Sequence, residues 1–151
     1  MMRDTGAGVE YESAYDGYAA LCHAALGASQ DALDTAQRAT RTAAGDGPYC
    51  MSVVTGCLRA RVLRMAGGVD NAEELAAQVA ATLEAIACAE MESCRPLILL
   101  ERAGLHHLTG DADATARDLG EASDLFRRMG VSGWDDYARS IASGAAGDPS
   151  A

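Results

Sequence analysis

The sequence contains no lysine, and all 12 of its basic residues are arginines. The chain therefore has no residue for the phosphate-binding lysine of a P-loop or for a Schiff base, and no Gly-rich phosphate-binding motif follows a predicted strand. Aromatic residues make up only 5% of the chain, and β-branched residues are sparse, whereas alanine, the strongest helix former, is abundant. This composition favours an all-α fold and argues against nucleotide binding by this chain.

The chain has few positive charges for its number of negative ones: 22 acidic residues against 12 arginines give it a net charge of −10. Binding to nucleic-acid phosphates or to anionic membranes needs a basic face, so we expect neither as a direct partner. No apolar run approaches the roughly 20 residues that span a bilayer, and residues 1–11 lack the apolar core of a signal peptide. We therefore expect a cytoplasmic protein.

The five cysteines show neither C-x-x-C pairing nor zinc-ligand spacing, so we interpret them as small apolar residues on helix faces. Asp111, Asp113 and Asp118 do not fit a calcium loop. Ala116 and Ala122 stand where that loop needs Gly and Glu. Aspartates that start a helix explain these residues better.

Three histidines are the remaining candidates for metal binding or acid–base catalysis: His23, His106 and His107. None of them has a nucleophile or carboxylate at a recognisable catalytic spacing, and we interpret them as packing residues. We predict no catalytic, cofactor-binding or metal-binding residue, and therefore a protein that is not an enzyme and uses no cofactor.

Apolar residues recur at three- and four-residue steps along the chain, which is typical of amphipathic helices. Breaks containing glycine separate these segments at Gly27, 45–48, 67–68, Gly110 and Gly130. The pattern predicts three stacked helical hairpins and a short C-terminal capping helix. We expect one helical repeat domain over residues 10–143, with disordered ends at residues 1–9 and 144–151.

The first predicted helix carries a stripe of tyrosines, Tyr11, Tyr15 and Tyr18. An aromatic stripe at helical spacing is more often part of the core than a ligand site, so we predict that these tyrosines are buried. The alternative is partial exposure, if a neighbouring element is missing upstream.

The closing helix carries Trp134, Tyr137 and Ile141 on one side. Terminal helices of repeat proteins cover the apolar edge of the repeat before them, and we expect this helix to do the same. Ser93 and Ser132 are predicted to cap the fifth helix and the closing helix. The alternative is a linker in which Trp134 is exposed.

Three turn glycines bring the predicted hairpins into register: Gly27, Gly67 and Gly110. Counting back seven residues from each glycine reaches an alanine, at Ala20, Ala60 and Ala103. Small residues thus recur where paired helices need close approach, and the spacing of about 40 residues suits an array of helix-turn-helix repeats.

This pattern of small residue, turn glycine and alanine resembles tetratricopeptide repeats in a lengthened form. The segment Leu108-Thr109-Gly110-Asp111, followed by Leu119, Ala122, Leu125-Phe126 and Gly130, resembles the closing repeats of a helical arm. That arm belongs to LuxR/MalT-like transcription regulators and ATPase-linked nucleotide cyclases. The resemblance covers residues 11–142 and implies a tetratricopeptide-like α-solenoid from a bacterial signalling or transcriptional regulator. Because the chain contains neither a P-loop domain nor a helix-turn-helix, we interpret it as a stand-alone arm or as part of a larger regulator.

The first helix of each tetratricopeptide hairpin lines a concave groove. The register places seven residues on this groove: Leu21, Cys57, Arg61, Arg64, Leu100, Gly104 and His107. The two arginines lie one turn apart and suit a carboxylate or an acidic peptide. The alternative is that they form, with Arg59, a solvated face that pairs with nearby acids.

The leading functional prediction is a non-enzymatic protein–protein interaction module that binds a protein or peptide. The two groove arginines favour an acidic partner. Its basis is the repeat resemblance together with the lack of a catalytic constellation. The alternative is a small-molecule-binding sensor with a pocket between the hairpins, around His106 and Cys57.

Overall fold

A computed structural model describes residues 11–46 and 49–144 of the 151-residue chain. Its α-helices are α1 (Glu12–Ala25), α2 (Ser29–Asp46), α3 (Tyr49–Gly67), α4 (Ala72–Cys88), α5 (Arg95–Leu108), α6 (Ala112–Arg128) and α7 (Asp135–Ala142). Short 3₁₀ turns, Gly68–Asn71 and Glu92–Cys94, precede α4 and α5. These residues contain no strand, which confirms the all-α class. The predicted disordered ends, 1–9 and 144–151, lie outside the described residues except for Gly144.

Each helix from α1 to α5 packs against the next helix along the chain. In addition, α1 contacts α3, α3 contacts α5 and α5 contacts α7. Helices α1, α3 and α5 therefore follow one another side by side, and their shared side, on which α7 packs, is called the odd-helix face below. None of the helices in the described part of the chain is long and apolar enough to cross a membrane.

The three alanines that the register aligns are all fully buried: Ala20, Ala60 and Ala103. A small side chain at these positions lets neighbouring helices approach closely. The turn glycines are less regular, because Gly27 and Gly110 have φ values of 77° and 82°, whereas in the middle hairpin Gly68, with φ 52°, takes the left-handed conformation. Gly67 instead ends α3, so the predicted turn position is one residue early there.

The tyrosine stripe of α1 is not in the core. Tyr11, Tyr15 and Tyr18 are 54%, 63% and 55% exposed. The side of α1 that faces α2 and α3 consists of small residues instead: Ser13, Ala14, Gly17 and Ala20. These residues allow a closer helix approach than tyrosine would, and no described element covers the opposite side. The prediction of buried tyrosines is therefore wrong, and the exposed alternative describes the structure.

The serine caps predicted for α5 and α7 are also wrong. The N-cap residues are Cys94 and Trp134, and neither makes a side-chain cap hydrogen bond. Ser93 lies inside the 3₁₀ turn that leads into α5, so its backbone is already helical. Ser132 is followed by Gly133, whose φ of 96° delays the start of α7.

The short helix α7 docks against the third hairpin, α5 and α6. Ile141 is 1% exposed, and the ring of Trp134 stacks on Phe126 with 5.0 Å between ring centroids and 3° between planes. Trp134 and Tyr137 pack with the core cluster that contains Leu99 and Phe126. The structure thus confirms that the closing helix covers the last hairpin.

Substitution of Gly56 tests how closely α3 and α4 approach each other. A Cβ atom at this position would lie 2.6 Å from Thr82 Oγ1 and 3.2 Å from Thr82 Cγ2. Thr82 is β-branched, and its hydroxyl is hydrogen-bonded to Gln78, so it cannot easily rotate away. We expect Gly56→Ala to lower the free energy of unfolding by about 1–3 kcal/mol, measured by urea denaturation.

The matched control is Gly120→Ala in α6. A Cβ at Gly120 meets no atom within 4 Å, and alanine favours a helix over glycine by roughly 0.5–1 kcal/mol. This variant should therefore be more stable than the wild type. Equal changes in the two variants would contradict the close packing of α3 on α4.

Candidate functional site

A buried carboxylate lies where α3, α5 and α7 meet. Glu101 on α5 is 4% exposed. Its Oε2 accepts a hydrogen bond from Arg64 Nε at 2.8 Å, and its Oε1 accepts one from the Tyr137 hydroxyl at 2.8 Å. The same hydroxyl accepts from Arg61 Nε at 2.8 Å and from Arg64 Nη2. We call Arg61, Arg64, Glu101 and Tyr137 the Glu101 cluster.

Burial fixes the protonation of the Tyr137 phenol. Desolvation, reinforced by the nearby carboxylate of Glu101, raises the pKa of Tyr137 to about 12. The pKa of Arg64 is raised as well, because burial lowers it but Glu101 and Tyr137 together raise it by more. Two guanidinium groups thus face one carboxylate and a neutral phenol.

An apolar cavity of about 250 Å³ opens beside the Glu101 cluster. It lies between α1, α3 and α5, and the start of α7 forms one wall. We call it the central cavity, and it is lined by Tyr18, Leu21, Cys57, Leu58, Arg61, Leu97, Leu100, Glu101 and Trp134. Burial raises the pKa of the Cys57 thiol to about 12, so at neutral pH this thiol is protonated and is a poor nucleophile.

The structure divides the seven predicted groove residues into two groups. Four of them line the central cavity: Leu21, Cys57, Arg61 and Leu100. The other three line a separate space of about 60 Å³ beside Ile141: Arg64, Gly104 and His107. Trp134 borders the first space, Ile141 borders the second, and Tyr137 reaches the Glu101 cluster between them. Helix α7 therefore separates the two groups.

The two predicted groove arginines, Arg61 and Arg64, differ in burial and in their partners. Arg64 is buried and paired with Glu101, and a Cβ at Gly104 would overlap its side chain. Arg59 points elsewhere and pairs with Glu74 of α4. All three arginines of α3 thus pair with nearby acids, as in the alternative interpretation, although Arg64 is buried and not solvated. Of the three, only Arg61 lines the central cavity.

The aspartates and histidines of the third hairpin form a different contact. Asp118 is buried, and its two oxygens accept hydrogen bonds from Arg102 Nε and Nη2, both at 2.7 Å. His106 Nε2 lies 3.5 Å from the same carboxylate and does not line the central cavity with Cys57. Asp111 caps α6 by accepting a hydrogen bond from the Ala114 backbone. Asp111 thus starts a helix as predicted, but Asp118 pairs with Arg102 instead.

The sequence did not lead us to predict Glu101 or Tyr137 as site residues. A usable signal was present, because Glu101 follows the apolar run Leu97–Leu100 and lies on the same side as buried residues. A charged residue within an apolar stripe indicates a buried and paired group. Its partners lie 36 and 37 residues away, and sequence spacing alone does not identify partners at that distance.

No protein-family model matches the chain, and no curated protein or solved structure matches it either. Among the described residues, no group of three or more His, Cys, Asp or Glu side chains could hold a metal ion. The function is therefore inferred from the Glu101 cluster, the central cavity and the exposed tyrosines.

Tyr137→Phe tests the Glu101 cluster. Removing the hydroxyl takes a donor from Glu101 and an acceptor from both arginines, so we expect the free energy of unfolding to fall by about 1–3 kcal/mol at pH 7. Urea denaturation measures it. Tyr15→Phe is the matched control, because Tyr15 is 63% exposed, and its effect should stay within about 0.5 kcal/mol.

The same variant should change the response to alkaline pH. The folded protein keeps the Tyr137 proton up to a pKa of about 12, whereas the unfolded phenol loses it near 10.0. The unfolded state therefore binds fewer protons in this window, and stability falls as the pH rises. Tyr137→Phe should lose less stability than the wild type between these pH values. Parallel pH curves would contradict the assignment.

Proposed function

We propose that this protein is a non-enzymatic interaction module whose odd-helix face binds a segment of a partner protein. The observation that carries the proposal is the position of Tyr18, which lines the central cavity and is also an exposed member of the tyrosine stripe. The cavity and the stripe therefore form one continuous apolar surface. Exposed apolar surfaces of this kind mark interaction sites.

The way α7 docks indicates that a partner segment can bind to this face as a helix. Helix α7 is held on α5 and α6 by Trp134, Tyr137 and Ile141, at positions i, i+3 and i+7. This is the anchor spacing of an amphipathic helix bound in a groove. The odd-helix face thus already accommodates one short helix of this chain, and the central cavity lies next to it.

The helix contacts support a repeat architecture. Neighbouring hairpins contact each other through α1, α3 and α5, and the aligned alanines are equally buried. We propose that the three hairpins form a short tetratricopeptide-like solenoid. In this proposal the chain is the scaffold or sensor arm of a bacterial LuxR/MalT-like signalling or transcriptional regulator that acts in the cytoplasm. The net charge of −10 favours a protein partner over nucleic acid.

The central cavity favours a second candidate function, a small-molecule sensor. Its volume of about 250 Å³ is slightly below the usual range for drug-sized ligands, and it combines apolar walls with one polar end. A small molecule bound there would contact α1, α3, α5 and Trp134 together. It would thus link helices that the partner surface also uses.

A comparative pull-down tests the partner proposal. Wild-type protein, Tyr18→Ser and Val69→Ser are used as baits in a lysate of the source organism, and bound proteins are quantified by mass spectrometry. Val69 is an exposed control outside the central cavity. We expect a specific protein to bind wild type and Val69→Ser equally and to be reduced at least tenfold by Tyr18→Ser, since the lost ring lies in the binding surface.

Recovery of the same proteins with all three baits would contradict binding at the central cavity. Recovery of no protein above background would contradict the interaction module itself. Circular dichroism of both variants checks that the substitutions leave the helices intact.

A further inference from the structure

Arg61 lines the central cavity. Most of its N–H donors have no hydrogen-bond acceptor in the part of the chain that the structure describes. Its Nε donates to the Tyr137 hydroxyl, while the two terminal amino groups have no acceptor among those residues. The side chain is 27% exposed. The ring of Tyr137 lies 4.0 Å from the guanidinium carbon, and this contact holds the guanidinium plane in place.

The charge of Arg61 is only partly balanced within the cavity, because its Nε lies 3.6 Å from Glu101 Oε1 and Glu101 is shared with Arg64. Glu101 is the acidic residue in the lining, and it is already hydrogen-bonded to Arg64 and Tyr137. The remaining lining consists mainly of leucines, which lower the local dielectric and strengthen the attraction for an anion. A planar guanidinium with two free amino groups is suited to bind a carboxylate through two hydrogen bonds.

We propose that the central cavity binds a small aliphatic monocarboxylate, with its carboxylate on Arg61 and its apolar body among Leu21, Leu58, Leu97 and Leu100. The proposal rests on the second candidate function and names its ligand class. The cavity volume of about 250 Å³ equals that of about eight waters in the liquid. A medium-chain acid such as octanoate fits this space.

Net charge favours a monocarboxylate over an acidic peptide. The protein carries a charge of −10, so long-range repulsion grows with every negative charge on the ligand. A monocarboxylate brings one negative charge, which the terminal amino groups of Arg61 can bind. An acidic peptide brings additional charges that have no counterpart at this site.

Trp134 provides the readout, because it lines the cavity and is the only tryptophan of the chain. The full-length protein is titrated with octanoate, octanol and octylamine while Trp134 emission is recorded. We expect a saturable change with octanoate at concentrations at least tenfold lower than with either of the other probes. The three probes share the alkyl chain and differ in the head group.

Arg61→Met should weaken octanoate binding at least tenfold. Arg61→Lys, which keeps the charge but loses the planar fork, should give an intermediate affinity. Arg59→Met is the matched control on the same helix, because Arg59 pairs with Glu74 and not with the cavity; it should bind octanoate like the wild type. Isothermal titration calorimetry provides a second measurement of each affinity, and circular dichroism checks the fold.

The outcomes separate the two levels of the proposal. If octanol or octylamine binds as tightly as octanoate, or if Arg61→Met binds octanoate like the wild type, the ligand class is wrong although the cavity binds small molecules. If none of the three probes changes Trp134 emission or gives heat, both the ligand class and the small-molecule candidate are overturned. The partner proposal is tested separately by the pull-down.

Discussion

The packing of the odd-helix face depends on the buried carboxylate of Glu101. Burying a charge is costly unless it is paired and fully hydrogen-bonded. Here the partners come from two other helices, Arg64 from α3 and Tyr137 from α7. Removing one partner of a buried ion pair typically costs about 3–5 kcal/mol, so α3, α5 and α7 are coupled through this one group. The coupling also explains why α7, with 8 residues, holds its place, since such a short helix is marginal in isolation.

The docking of α7 determines which part of the odd-helix face is accessible to a ligand. Tyr137 and Ile141 occupy one part of the face and leave the central cavity in the other. Glu101 is hydrogen-bonded to Arg64 and Tyr137 and lies 3.6 Å from Arg61 Nε, so the terminal amino groups of Arg61 remain at the cavity edge. The exposed Tyr18 extends the apolar surface away from the cavity. The same cluster that stabilises the fold thus also shapes the candidate binding surface.

Local patterns predicted much of the fold, because apolar periodicity and turn glycines report directly on helix position. The turn glycines Gly27 and Gly110 and the burial of Ala60 could be read from spacing alone. The exposed tyrosines could not, since a helix with a small-residue side and an aromatic side is amphipathic either way, and only the neighbouring helices decide which side is covered. For the candidate site, the register placed Arg61 and Cys57 on one groove, and both line the central cavity. It did not indicate that Arg64 is buried against Glu101 or that α7 divides the face. These contacts join residues that are far apart in sequence, and local spacing does not determine them.

The most direct test of this account is the fluorescence of Trp134 in the full-length protein, followed through urea unfolding together with far-ultraviolet circular dichroism. Because Trp134 is stacked on Phe126 and lies beside Tyr137, α7 docking predicts native emission at shorter wavelength than free indole in water. The emission should then move to that of free indole in step with the loss of helix. Native emission like that of free indole, unchanged on unfolding, would show that α7 is not docked and would contradict the account.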